Sequence, residues 1–247
     1  GRLIRRYLER EDWETDVARY GIDIWMTTIA IAEGYRVCQS FLGAKLHDAK
    51  DPGADLSAML HQVVGSVFAL MGEYAPVWSR RTSSVPVDLF GFRYDVGLDS
   101  IEVNVGRMLS AFRRGCEELS EVWSKALQPE THAQVRALGR QAAEGAADFH
   151  IDDRLWTRVV LDFACAHHHR RVARGHLLPS LTPLYLARVA SFVIETRDLI
   201  SSQVEERIER LCQVFEEEKP YLAGQWTGET APAPAEASRD EQAALEV

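Results

Sequence analysis

The spacing of apolar residues predicts a chain built mostly from amphipathic helices. From residue 56 onward, apolar side chains recur at intervals of three and four, which is the spacing of one helix face. Long helices are predicted over 56–71, 101–123, 155–172 and 182–220, the last opening with Thr182 and Pro183. At 1.5 Å per residue this last helix would be about 50 Å long. That length predicts packing along several helices or a homodimer interface.

The first fifty residues predict a small α/β unit. A short basic helix over 2–10 and an apolar helix over 20–33 are expected, the second ended by Gly34. Residues 35–44 carry the β-branched and aromatic residues of the one predicted strand, whereas 79–97 are predicted to be a loop. Because one strand makes no sheet, we expect it at an exposed edge or paired with another chain. The predicted fold class is mainly α, with this small α/β unit of about one strand.

Composition removes several classes of function. The 247 residues carry a net charge of −9, which argues against a nucleic-acid partner. The tail from residue 224 has no periodicity and is predicted to be disordered, and it holds part of this negative charge. No window approaches about twenty consecutive apolar residues, so no membrane span is predicted. Four cysteines without a CxxC pair and no signal-peptide pattern favour a cytoplasmic protein.

Asp23 is the first candidate functional residue, because it lies in the apolar run Ile22–Trp25. Burying a carboxylate among such neighbours is costly unless it is paired. The alternatives are an exposed stripe of the helix or a helix cap.

A second candidate is the polar loop after the predicted strand, which contains Lys45, His47 and Asp48. Ligands of open α/β sheets collect at the carboxyl ends of strands. His47 and Asp48 are able to ligate a divalent metal, and Lys45 is able to meet a phosphate. In isolation, an ordinary polar loop is the better interpretation.

The tract Cys165–Arg171 contains three consecutive histidines. Consecutive helical side chains point about 100° apart, so the three rings do not converge on one ion. Cys165 and His169 share a face, but Arg170 and Arg171 would repel a cation. A basic, solvated helix end is therefore the favoured interpretation.

Three linked elements carry a resemblance to a known family. They are Tyr20-Gly21-Ile22-Asp23, the stretch Leu42-Gly43-Ala44-Lys45-Leu46-His47, and Leu56-x-x-Met59-x-x-Gln62-Val63. In kind, order and spacing they resemble the second half of the catalytic domain of GT-A glycosyltransferases of the glucosyl-3-phosphoglycerate synthase and mannosylglycerate synthase type. The resemblance covers about a fifth of the chain well and the remaining helices loosely.

The resemblance implies a role for each matching residue. Asp23 would contact the sugar or acceptor near the reacting carbon, with Tyr20 beside it in the substrate site. His47 would complete the coordination of Mg²⁺ or Mn²⁺, and Lys45 would face the nucleotide phosphates. The implied reaction moves a sugar, with retention of configuration, from a nucleotide-sugar to glycerate, phosphoglycerate or a similar small acceptor. Asp23 stands where glutamate is expected in phosphoglycerate synthases, and Asp48-Ala49-Lys50 stand where arginine and asparagine are expected.

The chain has no Asp-x-Asp motif, no GxGxxG and no initiator methionine. We therefore expect a C-terminal portion of an enzyme that needs its N-terminal half for activity. The predicted organisation is a GT-A part over 1–80, a helical domain over 98–223 and an acidic tail over 224–247. The alternative is a non-catalytic helical module for interaction or oligomerisation, in which Asp23 and His47 are structural.

Overall fold

A computed structural model describes residues 1–42, 57–92, 103–144 and 148–228. Within these residues the chain is mainly helical, as the apolar spacing predicts, and it also has one small two-stranded sheet. The helices are, in chain order, α1 (Arg2–Leu8), α2 (Ile22–Ala32), α3 (Ser57–Glu73), α4 (Ala75–Trp78), α5 (Val105–Glu118), α6 (Ser120–Ala126), α7 (Pro129–Glu144), α8 (Asp153–His168), α9 (Arg174–Thr196), α10 (Ser201–Glu217) and α11 (Lys219–Trp226).

Local sequence signals set several helix ends. The Asp152 carboxylate accepts from the backbone N–H groups of Arg154 and Leu155 and so caps α8. The side chain of Asn104 caps α5 in the same way. Gly34 ends α2 with a φ of 77°, a backbone conformation that glycine adopts without a Cβ clash. The prediction that Gly34 terminates this helix is confirmed.

Two clusters of buried side chains hold the helices together. The larger one lies around α5, α8 and α9 and includes the fully buried Phe112, Phe163 and Leu177. The smaller one joins α1, α2 and α3 through Tyr7, Trp25, Ile29 and Leu70, together with Val17 from the turn before α2. Since α3 gives Phe68 to the larger cluster and Leu70 to the smaller one, it packs against both groups of helices.

The sheet differs from its prediction in length and in partner. Strand β1 (Gln39–Ser40) is two residues long and runs parallel to β2 (Leu89–Phe90). The backbone N–H groups of Gln39 and Phe41 donate to the carbonyls of Asp88 and Phe90, each at 2.9 Å. The expectation of a strand without a partner in its own chain is therefore wrong, and so is the all-loop prediction for 79–97. The expectation of an exposed strand is confirmed, since both strands are exposed.

The predicted 50 Å helix over 182–220 is wrong. Helix α9 begins earlier, contains Pro179 and Pro183, and ends at Thr196. Helix α10 begins afresh after Ile200, whose backbone N–H is held by the side chain of Gln203 at 3.1 Å. The length argument for a homodimer therefore no longer applies.

Two other helix boundaries also move. The predicted helix over 101–123 is divided at Leu119 into α5 and α6. Gly224, where the sequence predicts the tail to begin, lies inside α11, which extends to the buried Trp226. Residues 229–247 lie outside the described residues.

Helix α9 is long and apolar enough to cross a membrane by length and hydropathy alone. More than half of its apolar window, 56%, is buried inside the protein. Packing in a core produces such a sequence as readily as a bilayer does.

Candidate functional site

Two of the predicted site residues lie at the start of α2. Tyr20 is in the turn that leads into the helix, and Asp23 is in the first turn of the helix itself. Tyr20 is 50% exposed, and Asp23 is exposed in the first helical turn, where a negative charge interacts favourably with the helix dipole. No described residue donates a hydrogen bond to the Asp23 carboxylate. Of the alternatives for Asp23, the structure selects the exposed stripe at the helix start.

This turn packs directly on α3, and the contact joins two of the three motif elements. The backbone N–H of Tyr20 donates to the Gln62 side-chain oxygen at 3.4 Å. A Cβ atom added to Gly21 would lie 2.1 Å from the Ser66 hydroxyl oxygen, so only glycine fits between the turn and α3. The Tyr-Gly element and the Met-x-x-Gln element, about forty residues apart in sequence, thus form one surface.

Lys45 and His47 lie outside the described residues, as does the rest of the polar loop that contains them. Within the ranges 1–42, 57–92, 103–144 and 148–228, no group of three or more His, Cys, Asp or Glu side chains is arranged to hold a metal ion.

A polar cavity of about 650 Å³ has Ser66 in its wall. The rest of its lining includes Arg10, Asp12, residues 14–17, other residues of α3, and the side chains of His167 and Arg174. The cavity is rich in charged groups, but most of them are already paired with one another. Asp23 and Tyr20 do not line it.

The ion pairs of this cavity connect the segment between α1 and α2 to α3 and α9. The Arg10 guanidinium contacts both Glu73 oxygens, at 2.5 and 2.7 Å, and Asp12 at 2.7 Å. Arg10 thereby lowers the pKa of Glu73 below its ordinary value. Arg174 pairs with Asp16 across the cavity. Because these charges are paired with each other, their main effect is to hold the N-terminal segment against α3 and α9. They do not form a site prepared for a further ion.

The three histidines at the end of α8 have three different surroundings. The ring of His167 packs on Phe68 with centroids 5.7 Å apart, while that of His168 stacks on Trp226 at 4.0 Å. His169 makes a 3.0 Å hydrogen bond to the carbonyl oxygen of Gln225. Burial lowers the pKa of His167 and of His168. The solvated helix end predicted for this tract describes His168 and His169, but His167 is half-buried and lines the cavity.

Asp162 is a buried carboxylate that the sequence reasoning missed. It is 0% exposed and accepts hydrogen bonds from the Gln128 backbone N–H at 2.9 Å, the Tyr221 hydroxyl at 2.7 Å and the Gln225 amide at 3.1 Å. Its burial raises the pKa of this carboxyl group. The signal was an acid inside the apolar run 159–164, the same signal that singled out Asp23. Here the carboxylate ties α7 and α11 to α8 and has a structural role.

Cys165, next to these residues on α8, is fully buried, and burial raises the pKa of its thiol to about 12. A thiol with that pKa is protonated at neutral pH and is neither a good nucleophile nor a ready metal ligand. It packs in the core together with its neighbours.

Comparison with protein-family models, with curated proteins and with solved structures found no match for this chain.

Proposed function

We propose that this chain carries the acceptor-side and metal-histidine portion of a retaining, divalent-metal-dependent glycosyltransferase. The reaction would move a sugar from a nucleotide-sugar to a small hydroxylated acceptor such as glycerate or phosphoglycerate. The observation that supports this proposal best is the contact of Tyr20 with Gln62. A site assembled from separate segments requires such contacts, and the two elements that meet here are among those that carry the resemblance.

The exposure of Asp23 agrees with a role in substrate binding. Its carboxylate accepts no hydrogen bond from the residues that the structure describes. It can therefore accept hydrogen bonds from the hydroxyl groups of a sugar or of an acceptor. The half-exposed ring of Tyr20 lies close by in sequence and supplies a further polar group and an apolar face. In this proposal Asp23 orients the reacting hydroxyl, and Tyr20 forms part of the wall around it.

His47 and Lys45 belong to the proposal through the resemblance alone. A divalent metal, when bound, acts as a Lewis acid that neutralises the departing diphosphate. Lys45 would add a positive charge near the same phosphates.

The test is a panel of nucleotide-sugars with Mn²⁺ or Mg²⁺ and with glycerate and 3-phosphoglycerate as acceptors. It is run on this chain and on the product of its complete reading frame. We expect turnover with retained anomeric configuration from the complete product. Asp23→Asn is expected to lower kcat by on the order of 100-fold, since positioned acid–base or orienting groups contribute at least that much.

The matched control is Asp198→Asn, an exposed aspartate at the end of α9. It should leave turnover unchanged. If His47→Ala leaves metal-dependent turnover untouched, the metal assignment is wrong. If no donor is turned over in either form, the enzymatic proposal itself fails.

The second candidate is a non-catalytic interaction module. It is favoured by one observation, the row of exposed apolar side chains around the sheet, which includes Leu42 at 91% exposure. Such a patch is typical of a surface that another protein covers. This function would be indicated by concentration-dependent association in sedimentation that Phe90→Ser abolishes, together with no turnover.

A further inference from the structure

A second cavity, which contains none of the proposed site residues, runs between α2, α3 and the corner of α10 and α11. It has a volume of about 490 Å³, within the range of sites for small organic ligands. Its walls are apolar side chains that stand open to solvent, among them Ile31, which is 47% exposed. Unlike the polar cavity, this second cavity has no ion pairs along its apolar walls within the described part of the chain.

The charged groups of this apolar groove are gathered at one end. Three ionisable side chains other than tyrosine line it, Arg81, Glu216 and Lys219. The Lys219 ammonium contacts the backbone carbonyl oxygen of Arg81, and both side chains line the groove. Burial is the main cause that lowers the pKa of Lys219, and the Arg81 charge also contributes to lowering it, so the two cations lie near each other. Arg81 makes no ion pair with any described residue. The groove is thus apolar along its length and cationic at one end.

The single carboxylate at that end is held by the polypeptide. Glu216 Oε1 accepts from the backbone N–H of Ser84 at 2.8 Å and also from the Ser84 hydroxyl. These two bonds and the Lys219 contact fasten residues 81–84 to the corner between α10 and α11. Because Arg81 and Lys219 carry two positive charges and Glu216 carries one negative charge, this end of the groove has a net positive charge.

We propose that this groove binds a free anionic amphiphile, with an alkyl chain along the apolar walls and a carboxylate at the Arg81–Lys219 end. Burial of the alkyl chain supplies most of the affinity, because removing apolar surface from water is favourable in proportion to the area buried. The two cations select the sign of the head group. The proposal is independent of the glycosyltransferase function.

The direct test is isothermal titration of the full 247-residue chain with dodecanoate below its micelle threshold. We expect saturable one-to-one binding of dodecanoate. Dodecyltrimethylammonium has the same alkyl chain and the opposite charge, and it should bind at least about tenfold more weakly. A tenfold change in affinity corresponds to about 1.4 kcal/mol. Equal binding of the two amphiphiles would overturn the charge assignment, and no saturable binding of either would overturn the site.

Two variants locate the binding in the groove. Arg81→Gln removes a cation and Ile31→Gln places an amide on the apolar wall, and both positions are exposed enough for the fold to tolerate the change. Each should weaken dodecanoate binding about tenfold. The matched controls Arg197→Gln and Ile208→Gln alter an exposed arginine and an exposed isoleucine outside the groove and should change affinity less than twofold.

A third variant acts in the opposite direction, so that a loss of folding is not mistaken for a loss of binding. Thr28→Val replaces a hydroxyl on the groove wall by a methyl group, which costs less to desolvate against an alkyl chain, and should strengthen dodecanoate binding. Unchanged affinity in both Arg81→Gln and Ile31→Gln would contradict the proposal. Association with anionic vesicles alone, or a dimer that Ile31→Gln dissociates while dodecanoate does not bind, would contradict it as well.

Discussion

The helices around α8 and the two-stranded sheet are built from similarly apolar residues but bury them to opposite extents. Phe112, Phe163 and Leu177 in the helical part are fully buried, whereas Phe41, Leu42 and Phe90 at the sheet are exposed. Helices satisfy their own backbone groups and need only one another to bury a face. A two-residue parallel pair has no such independence and buries nothing by itself. The helical part thus completes its own core, and the sheet presents apolar surface outward.

The largest expected change in stability comes from truncating a phenylalanine in the helical core, and it distinguishes the two regions directly. Phe112→Ala leaves a cavity in the core and is expected to lower the free energy of unfolding by about 3–5 kcal/mol. Phe90→Ala removes the same atoms from the exposed sheet and should change it by less than about 0.5 kcal/mol. Urea unfolding followed by circular dichroism measures both. Equal losses would show that the sheet is buried in solution, and the contrast between the regions would fail.

The two aspartates in apolar runs give a second, smaller difference. Asp162→Ala leaves the Gln128 N–H and the Tyr221 hydroxyl without their acceptor, and unsatisfied buried groups cost about 1–3 kcal/mol each. Asp23→Ala loses only a favourable interaction with the dipole of α2, about 0.3–1 kcal/mol. Denaturant unfolding of the two variants checks this order. A larger loss for Asp23→Ala would mean that Asp23 is buried against another part of the chain.

The smallest expected effect is on the pH dependence of stability, through His167 at the edge of the helical core. Burial holds the pKa of His167 below 6.5, so the folded state binds this proton less readily than the unfolded chain does. Stability is therefore fully present above the unfolded pKa and is lost as pH falls through 6.5 toward the folded pKa. His167→Gln should remove a part of this loss, and the effect should be small because partial exposure screens the interaction.

The groups that face His167 are Phe68 on α3, Arg174 on α9 and His168 on its own helix. The control is His169→Gln, at an exposed ring of the same tract. Thermal unfolding of the three proteins between pH 7.5 and 5 tests the sign. A His167→Gln variant as acid-sensitive as the parent chain would contradict the assignment.

Among the candidate residues, prediction succeeded where local chemistry decides and failed where a distant segment does. The exposed position of Asp23 was one of the alternatives that the sequence left open, and only the structure, in which the preceding turn packs on α3 and Asp23 stays exposed, selected it. Asp162 carried the same apolar-run signal, but its donors come from residues 34 to 63 positions away in the chain. No local pattern contains those partners. Lys45 and His47 stay predictions, since they lie outside the described residues.

The sequence by itself determined the mainly helical class, the end of α2 at Gly34 and the exposure of the strand. These features depend on side-chain periodicity and on backbone groups a few residues apart, which are local energies. Only the tertiary structure decided that β1 pairs with β2, that the expected long helix is broken before Ser201, and that Tyr20 meets Gln62. Each of those outcomes depends on contacts between segments far apart in the chain, whose energies no single window of sequence contains.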